Sequence, residues 1–374
     1  MQGQQNYHDY EKRIKNLQEK LKKGLLTDNN LASNELDGYI TYKQENVEYL
    51  TGFTGSSGFL LVTPDDAVIF TDSRYMEQAK EQARAIDVLE QGQPYYKTIN
   101  EYIKQKKLQA IGFESENVTV ATFELWQKNL ESSVIPCNDY VAQLRMIKDE
   151  HEIAITQTAV DLTDEAFAYV IERIRPGIKE IDIALELEFY LKKRGASSLA
   201  FSTIVASGKR SALPHGVASE KLIELGDMVT IDFGANYMGY CSDMTRSFIV
   251  GKASPKQKEI YNTVLTAQQK VLNNIKAGMM GKEVDEIARQ YIYKQGYEGH
   301  FGHGLGHGLG KEVHEAPRLS PLSDTKLESG MLVTVEPGVY ITDFGGVRIE
   351  DDIVITETGC RILNKTPKEL LEIV

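Results

Sequence analysis

Two stretches of this chain repeat one pattern of glycine, β-branched residues and a carboxylate, and this repeat most restricts how the chain can fold. Residues 226–237 read GDMVTIDFGANY and residues 330–340 read GMLVTVEPGVY. In both, a β-branched run leads to an acidic residue, Asp232 or Glu336, with a glycine two positions later. Runs of this kind that end in turn residues are typical of strands entering a hairpin. The sequence therefore predicts the same hairpin twice.

Each predicted hairpin carries a second carboxylate on its returning strand. Asp243 follows the turn of the first hairpin, and Glu350 follows the turn of the second. Antiparallel pairing places Asp232 near Asp243, and Glu336 near Glu350, on one face. Because buried like charges repel, packing does not explain such pairs, and we expect cations between them.

The two hairpins together predict a dinuclear metal site. A pseudo-two-fold axis between them would bring the four carboxylates together, and four negative charges match two divalent cations. Oxygen ligands of this kind favour Mn²⁺ above all, with Co²⁺, Fe²⁺ and Zn²⁺ as alternatives. Two metals about 3.5–4 Å apart are a known device for hydrolysis.

The hairpins belong to a larger duplication. An apolar stripe from Ile155 to Val170 predicts a long helix, which a loop and a second helix ending at Gly195 follow. A similar loop and helix end at Gly296. The order helix–helix–hairpin therefore occurs over about residues 145–250 and again over 255–360. We expect the two halves to share one central sheet with the helices outside.

Histidines are concentrated just before the second hairpin. Residues 300–318 hold four histidines and five alternating glycines, which exclude an ordinary helix. In an extended backbone, His303 and His307 point the same way. We expect His307 to bind metal, with His303 and His314 beside it.

Three further polar residues are open to two interpretations each. His215, in a Leu-Pro-His-Gly stretch, fits a structural role or a role at the site. Arg318 and Arg348 each fit a surface charge or a clamp for a carboxylate, and we expect both to contact the substrate. Arg348 stands two residues before Glu350 on the same strand face, so it is the better placed of the two arginines.

The rest of the sequence indicates how the domains are organised and which classes of partner are excluded. Alternating strand and helix patterns predict an α/β domain over residues 1–142, ahead of a catalytic domain over residues 143–374. The glycine-rich loop at 51–58 matches neither a Walker A motif nor GxGxxG. A net charge of −12 argues against nucleic acid or an anionic membrane as partner. Three dispersed cysteines, no membrane-spanning run and no signal-peptide core favour the cytoplasm.

These motifs resemble those of the pita-bread metallopeptidases. The resemblance rests on IDFGA, SDMTR, HGLGHGLG with VHEAPR, VEPGVY and VRIEDD. YLTGFTGSSG and the α/β N-terminal region resemble the Xaa-Pro branch, which comprises prolidase and aminopeptidase P. The resemblance covers nearly the whole chain. It implies an α+β fold, with a C-terminal pita-bread (creatinase/aminopeptidase) domain that has an internal pseudo-two-fold repeat, and an N-terminal α/β creatinase-like domain.

The resemblance also implies roles for single residues. It implies that two metals, usually Mn²⁺ or Co²⁺, are bound by Asp232, Asp243, His307, Glu336 and Glu350, with Asp243 and Glu350 bridging. It implies that substrate is contacted by His215, His303 and His314. Arg318 resembles the prolidase position that holds the free carboxylate of a dipeptide. The implied active form is a homodimer whose N-terminal domains help to close the sites.

The implied reaction is hydrolysis of Xaa-Pro bonds, most of all in dipeptides. A water bridging the metals would lose a proton to Glu336 and act as the nucleophile, and His303 or His314 would stabilise the tetrahedral intermediate. Arg318 favours prolidase over aminopeptidase P, which acts on longer peptides. A non-catalytic binding protein and a metal-free creatinase-like hydrolase are less favoured, because neither needs five metal ligands.

Overall fold

The computed structural model describes residues 9–23 and 36–373. The chain divides into two compact units, Met1–Arg145 and Met146–Val374. The first unit contains, in chain order, α1 (Tyr10–Lys22), β1 (Gly38–Thr41), α2 (Gln44–Thr51), β2 (Phe59–Val62), β3 (Ala67–Thr71), α3 (Met76–Gln82), β4 (Asp87–Glu90), α4 (Tyr96–Lys106), β5 (Ala110–Glu114), α5 (Val120–Asn129), β6 (Ser133–Cys137) and α6 (Tyr140–Arg145).

The first unit is an α/β layer structure. Its described strands form one sheet in the order β4-β3-β2-β1-β5-β6. Apolar side chains pack on both faces, around Leu60 on one and around Trp126 on the other. Helix α2 is not predicted by the sequence pattern. Its start is fixed by the buried carboxylate of Glu114, which accepts the backbone N–H groups of Tyr42 and Lys43 just before the helix.

The second unit carries the duplication. Its elements are α7 (Glu150–Ile171), α8 (Glu180–Lys193), β7 (Ser198–Leu199), β8 (Ile204–Ser207), a 3₁₀ helix (Gly208–Ala212), β9 (Met228–Phe233), β10 (Ala235–Tyr237), β11 (Tyr240–Cys241), β12 (Met244–Val250), α9 (Pro255–Leu272), α10 (Gly281–Ile292), a π-helical turn (Tyr293–Tyr297), β13 (Gly306–Gly308), β14 (Glu315–Leu319), β15 (Leu332–Val335), β16 (Gly338–Ile341), β17 (Gly345–Arg348), β18 (Asp351–Ile355), β19 (Cys360–Ile362) and β20 (Glu372–Ile373).

The two halves follow the predicted order. Helices α7 and α8 precede the hairpin β9–β12, and helices α9 and α10 precede the hairpin β15–β18. The first helix of each half begins with a capping box, formed by Asp149 with Glu152 and by Ser254 with Gln257. No helix among the described residues is long and apolar enough to cross a membrane.

The expectation of one shared central sheet is wrong. Within residues 146–373, the first hairpin belongs to the sheet β20-β12-β9-β8 and the second to the sheet β14-β13-β15-β18-β19. Side chains replace a continuous ladder where the halves meet. The hydroxyl of Ser247 donates to the Arg348 carbonyl (2.9 Å) and accepts from the Arg348 N–H (3.1 Å). A backbone hydrogen bond from Glu350 N to Thr245 O (3.2 Å) also joins the two hairpins.

Candidate metal centre

Three of the four hairpin carboxylates stand where a strand is interrupted, and the fourth lies one residue before a strand end. Asp232 is the penultimate residue of β9, and Asp243 lies between β11 and β12. Glu336 lies between β15 and β16, and Glu350 between β17 and β18. The single returning strand that was predicted to carry Glu350 is therefore two strands, β17 and β18, that belong to different sheets. The breaks thus fall at Asp243, Glu336 and Glu350.

His307 is held in the middle of a narrow three-residue strand. Strand β13 pairs with β14 on one side and with β15 on the other. A Cβ atom at Gly306 would lie 2.1 Å from the Thr334 carbonyl oxygen, and one at Gly308 would lie 2.2 Å from the Ala316 carbonyl oxygen. Only glycine fits such close backbone approaches. The flanking glycines therefore allow His307 to be buried between two strands.

The ring of His307 is oriented toward the carboxylates. Its Nδ1 lies 3.1 Å from the Gly308 carbonyl oxygen, which leaves Nε2 free to face the site. Nε2 lies 3.2 Å from Glu336 Oε1 and 3.7 Å from Asp243 Oδ2. The Thr334 hydroxyl accepts the His307 backbone N–H and donates to Glu336 Oε1, both at 3.1 Å. Thr334 thus aligns both residues.

The five predicted metal ligands meet in one cavity. Ligand atoms of Asp243, His307 and Glu350 all lie within 4.8 Å of one another. Asp232 and Glu336 line the same cavity, whose volume is about 450 Å³. The remaining lining residues are Phe201, Ser202, Ile204, Pro214, His215, Val217, His303, Gly304, Gly306, Val313, His314, Arg318, Ser320 and Arg348.

Three carboxylate oxygens in this cavity show that the site fits cations. Asp232 Oδ1, Asp243 Oδ1 and Glu350 Oε1 are buried and accept no hydrogen bond from the described part of the chain. Buried polar atoms almost always have a partner. Three such oxygens beside a histidine nitrogen form a donor set suited to divalent cations. The residues present therefore fit the predicted pair of metals.

The titration behaviour of the carboxylates reflects their crowding. Burial raises the pKa of Asp243 and Glu350 well above the ordinary range, and the neighbouring carboxylates raise it further. Burial also raises the pKa of Asp232, which the positive charge of Arg348 only partly offsets. Glu336 differs, since its contact with His307 outweighs burial and lowers its pKa to about 2. Burial and mutual repulsion therefore raise the pKa of three of these four carboxyls.

Arg348 is directed at a metal ligand. The side chain is buried, and its Nη2 donates to Asp232 Oδ2 over 2.6 Å. Nη1 donates to the Tyr340 hydroxyl (2.8 Å) and to the Pro214 carbonyl (3.1 Å), and Nε donates to the Thr245 hydroxyl (3.0 Å). Each guanidinium nitrogen therefore has a protein acceptor. This geometry supports positioning of Asp232 in place of the substrate contact expected for Arg348.

Tyr340 and Thr245 are site residues that the sequence reasoning missed. Because the Tyr340 hydroxyl accepts from Arg348, its own proton points to His303 Nε2, 2.9 Å away. The Thr245 hydroxyl donates to Glu350 Oε2 over 2.6 Å. Tyr340 lies inside the VEPGVY motif and Thr245 inside SDMTR, so the motifs were the available signal.

His303 is held entirely by the protein. Its Nε2 accepts from Tyr340, and its Nδ1 lies 2.8 Å from the Gly304 carbonyl oxygen, so Nδ1 carries the proton. Burial lowers the pKa of His303. Both ring nitrogens are engaged. His303 therefore lines the cavity without a free nitrogen for substrate.

The other predicted substrate residues lie on the open side of the cavity. His314 is exposed, and its ring stands edge-to-face on that of His307 with centroids 4.3 Å apart. Although part of its side chain is exposed, partial burial of the ring and the neighbouring His307 lower the pKa of His314 to about 4, so it is neutral at physiological pH. His215 and Arg318 are also exposed, and Arg318 is paired with His307 across the β13–β14 ladder.

Comparison with known proteins bears on both units. Residues 154–357 match the model of metallopeptidase family M24, and residues 26–147 match that of the creatinase/prolidase N-terminal domain. A protein named Xaa-Pro dipeptidase from Pyrococcus horikoshii is 41% identical over 343 residues, which cover 91% of this chain and 96% of that protein.

Solved structures are similar over almost the whole chain. A structure described as Xaa-Pro dipeptidase from Bacillus anthracis matches with a TM-score of 0.93 and 44% identity, covering 98% of this chain and 100% of that one. A structure described as X-Pro aminopeptidase from Thermotoga maritima matches with a TM-score of 0.85 and 39% identity, covering 90% and 98%. The predicted α+β architecture is confirmed by these similarities.

Proposed function

Because this chain belongs to metallopeptidase family M24, we propose that it is an Xaa-Pro dipeptidase, a prolidase that depends on two divalent cations. The observation that carries the proposal is the set of three orphaned carboxylate oxygens, on Asp232, Asp243 and Glu350, beside His307 Nε2. The similarity to dipeptidases along both units supports the choice of substrate.

The cations would be held by the residues already described. The residues that would hold them are Asp232, Asp243, His307, Glu336 and Glu350, all of which line the cavity. We propose Mn²⁺ first, with Co²⁺, Fe²⁺ and Zn²⁺ as alternatives. When bound, two such cations supply Lewis-acid polarisation of the peptide carbonyl and a water that ionises near neutral pH.

The side chains of the cavity have separate tasks in this proposal. Glu336 accepts the proton of the attacking water at a carboxylate oxygen and later passes it to the leaving amine. His314, neutral and exposed to the cavity, donates an N–H to the oxygen that becomes negative in the tetrahedral intermediate. The reaction implied by the family resemblance uses either His303 or His314 to stabilise this oxygen. Because both ring nitrogens of His303 already have hydrogen-bond partners in the protein, we favour His314 for this role.

The proposed substrate agrees with the chemistry of the Xaa-Pro bond, the volume of the cavity and the polar side chains exposed in it. An Xaa-Pro bond is a tertiary amide without an N–H, and the proline ring fixes φ. A cavity of about 450 Å³ is of the size usual for small-molecule ligands. Arg318 and His215, exposed at this cavity, would hold the free carboxylate and the proline side of a dipeptide.

We also propose a homodimer that works in the cytoplasm on proline-containing peptides, without nucleic acid or membrane as partner. The net charge of −12 supports the exclusion of polyanions. The dimer and the location rest on the resemblance to Xaa-Pro peptidases and on the composition of the chain. Sedimentation velocity of the purified protein tests the dimer directly.

Aminopeptidase P is the second candidate, because a structure of that description is also similar over most of the chain. The test begins with protein dialysed against chelator and reloaded with Mn²⁺, Co²⁺ or Zn²⁺ singly. Proline release from Ala-Pro is compared with residue release from Ala-Pro-Ala. Cleavage of Ala-Pro alone establishes a dipeptidase, and cleavage of the tripeptide establishes an aminopeptidase. No cleavage with any metal would favour a non-catalytic or creatinase-like protein.

A further inference from the structure

Glu180, outside the cavity, has an unusual number of hydrogen-bond donors for one buried carboxylate. It is the first residue of α8, and its side chain is fully buried. Its Oε1 accepts from the backbone N–H and the hydroxyl of Ser207, both at 2.8 Å. Its Oε2 accepts from the backbone N–H (3.1 Å) and the hydroxyl (2.6 Å) of Ser219. Arg210 Nε adds an ion pair at 3.1 Å.

These donors stand at the two ends of one segment. Ser207 precedes and Ser219 follows residues 208–218, which we call the His215 loop. Arg210 also donates from Nη2 to the Val217 carbonyl across the loop, over 2.7 Å. One carboxylate therefore closes the base of the loop and, through Arg210, braces its interior. Because the group is charged and desolvated, each of these hydrogen bonds is stronger than a neutral one.

The His215 loop forms one wall of the metal cavity. Pro214, His215 and Val217 all line the cavity. The Pro214 carbonyl accepts from Arg348 Nη1 (3.1 Å), and the same guanidinium holds Asp232. The position of the loop is thus coupled to substrate-facing His215 and to the clamp on a metal ligand.

The second half of the unit contains a parallel arrangement. Asp285 on α10 is fully buried and accepts from Arg289 Nε at 2.6 Å and from the Leu305 N–H at 3.0 Å. Arg289 in turn donates to the carbonyls of Phe301 and His303, both at 2.8 Å. In each half, a buried carboxylate on the second helix and an arginine hold the segment that carries a cavity histidine.

We propose that Glu180 is a positioning residue for the reaction, which acts through the His215 loop. This inference rests on the proposed peptidase function for its kinetic consequence, but its structural part does not. Glu180 fixes His215 against the cavity, so its loss should displace His215 much more than the carboxylates on the hairpins, which have their own strand pairing. Asp285 serves the His303 segment in the same way.

The first test needs no activity. In Glu180→Gln, one neutral amide faces five donors, so the bonds that close the loop weaken. We expect hydrogen–deuterium exchange over residues 207–219 to be about tenfold faster than in the unaltered protein, with or without Mn²⁺. Exchange over the hairpins β9–β12 and β15–β18 should be unchanged. Glu186→Gln removes an exposed charge from the same helix and serves as the matched control. Unchanged exchange of the loop would overturn the inference.

The second test is a double-mutant cycle with Ala-Pro. Glu180→Gln should lower kcat/KM about tenfold in the unaltered enzyme and less than about twofold in a His215→Ala background. In a His303→Ala background the full effect of Glu180→Gln should persist. For Asp285→Asn we expect the reverse: its effect on kcat/KM should disappear in the His303→Ala background and persist in the His215→Ala background. Equal effects of Glu180→Gln in all backgrounds would mean a general loss of folding and would overturn the inference.

The two tests distinguish failure of the proposed peptidase function from failure of the inference about Glu180. If the unaltered, metal-loaded protein does not cleave Ala-Pro, the proposed function fails, and the exchange measurement still decides the role of Glu180. If it cleaves Ala-Pro and Glu180→Gln behaves like Glu186→Gln, the inference alone fails. Should Glu180→Gln not fold, Ser219→Ala removes one donor and keeps the charge paired. It should show the same loop exchange and the same dependence on His215 with a smaller amplitude.

Discussion

Arg348 in the second half of the duplication donates to Asp232 in the first half, with Nη2 2.6 Å from Oδ2. The reverse relationship also holds, because Thr245 in the first half donates to Glu350 in the second over 2.6 Å. Each half therefore holds a carboxylate of the other. Since Thr245 also accepts from Arg348 Nε, the two contacts are linked. The geometry of the candidate metal centre therefore depends on how the two halves meet.

The first prediction concerns Arg348→Lys. A single ammonium cannot reproduce contacts from three guanidinium nitrogens, so Asp232 loses its fixed orientation. Loss of a group that orients a metal ligand typically weakens metal binding about 10–100-fold. We expect a loss of this size in Mn²⁺ affinity, measured by titration calorimetry on chelator-treated protein. Arg361→Lys, on exposed β19, is the control and should bind normally. Unaltered Mn²⁺ affinity in Arg348→Lys would contradict the positioning role.

The second prediction concerns stability and pH in the metal-free protein. The folded-state pKa values of Asp243 and Glu350 are raised, so between their unfolded and folded values the folded state binds more protons than the unfolded chain. The free energy of unfolding must then fall as pH rises from the ordinary carboxyl range, about 4, upward. Glu336 has the opposite sign. Its pKa of about 2 gives stability that is lost only as pH falls below about 4.

This prediction is checked by melting the protein with chelator and with excess Mn²⁺ between pH 5 and 8. A cation binds the ionised carboxylates, so the difference in Tm between the two forms should widen as pH rises. The doubly neutral variant Asp243→Asn with Glu350→Gln should lose most of the slope seen with chelator. A metal-free Tm that stays level or increases over this range would show that the carboxyls do not repel one another in the folded state.

The residues that the structure brings together in the candidate metal centre were predictable because they belong to local motifs. Asp232 and Glu336 occupy equivalent places in a visible repeat, and alternating glycines marked His307. The breaks in the hairpins were not foreseen, since a β-branched run such as residues 346–355 has the same pattern whether or not the strand changes sheet. Where the two sheets meet, Ser247 contacts Arg348, and these residues are 101 positions apart in the sequence.

Residues that support the site through contacts between distant parts of the chain were not predicted, for a related reason. Thr245 reaches Glu350 across 105 residues, and Ser219 reaches Glu180 across 39. A threonine or a glutamate at a helix start has common structural explanations, and only the tertiary fold shows what it touches. Arg348 was noticed, but sequence alone does not show that its partners are protein atoms.

The third prediction separates the two histidines first considered for the oxyanion. His314→Ala removes the free neutral N–H, and loss of one donor of this kind typically lowers kcat about 10²–10³-fold. We expect a loss in this range for Ala-Pro with a small change in KM, measured by steady-state kinetics with saturating Mn²⁺. His151→Ala, on α7 outside the cavity, should leave kcat unchanged. A larger loss of kcat in His303→Ala than in His314→Ala would reverse the assignment.

The fourth prediction tests substrate length through Arg318, which is exposed at the cavity beside His307. If its guanidinium holds the free carboxylate of a dipeptide, Arg318→Ala removes a charge-assisted hydrogen bond of about 1.5–3 kcal/mol. KM for Ala-Pro should then rise about 10–100-fold, with a much smaller rise for Ala-Pro-Ala, whose carboxylate lies one residue farther away. Arg318→Lys should recover part of the loss because it keeps the charge without the fork. Steady-state kinetics on both peptides decides the point, since equal increases in KM would mean that Arg318 does not recognise the dipeptide terminus and that the dipeptidase assignment is wrong.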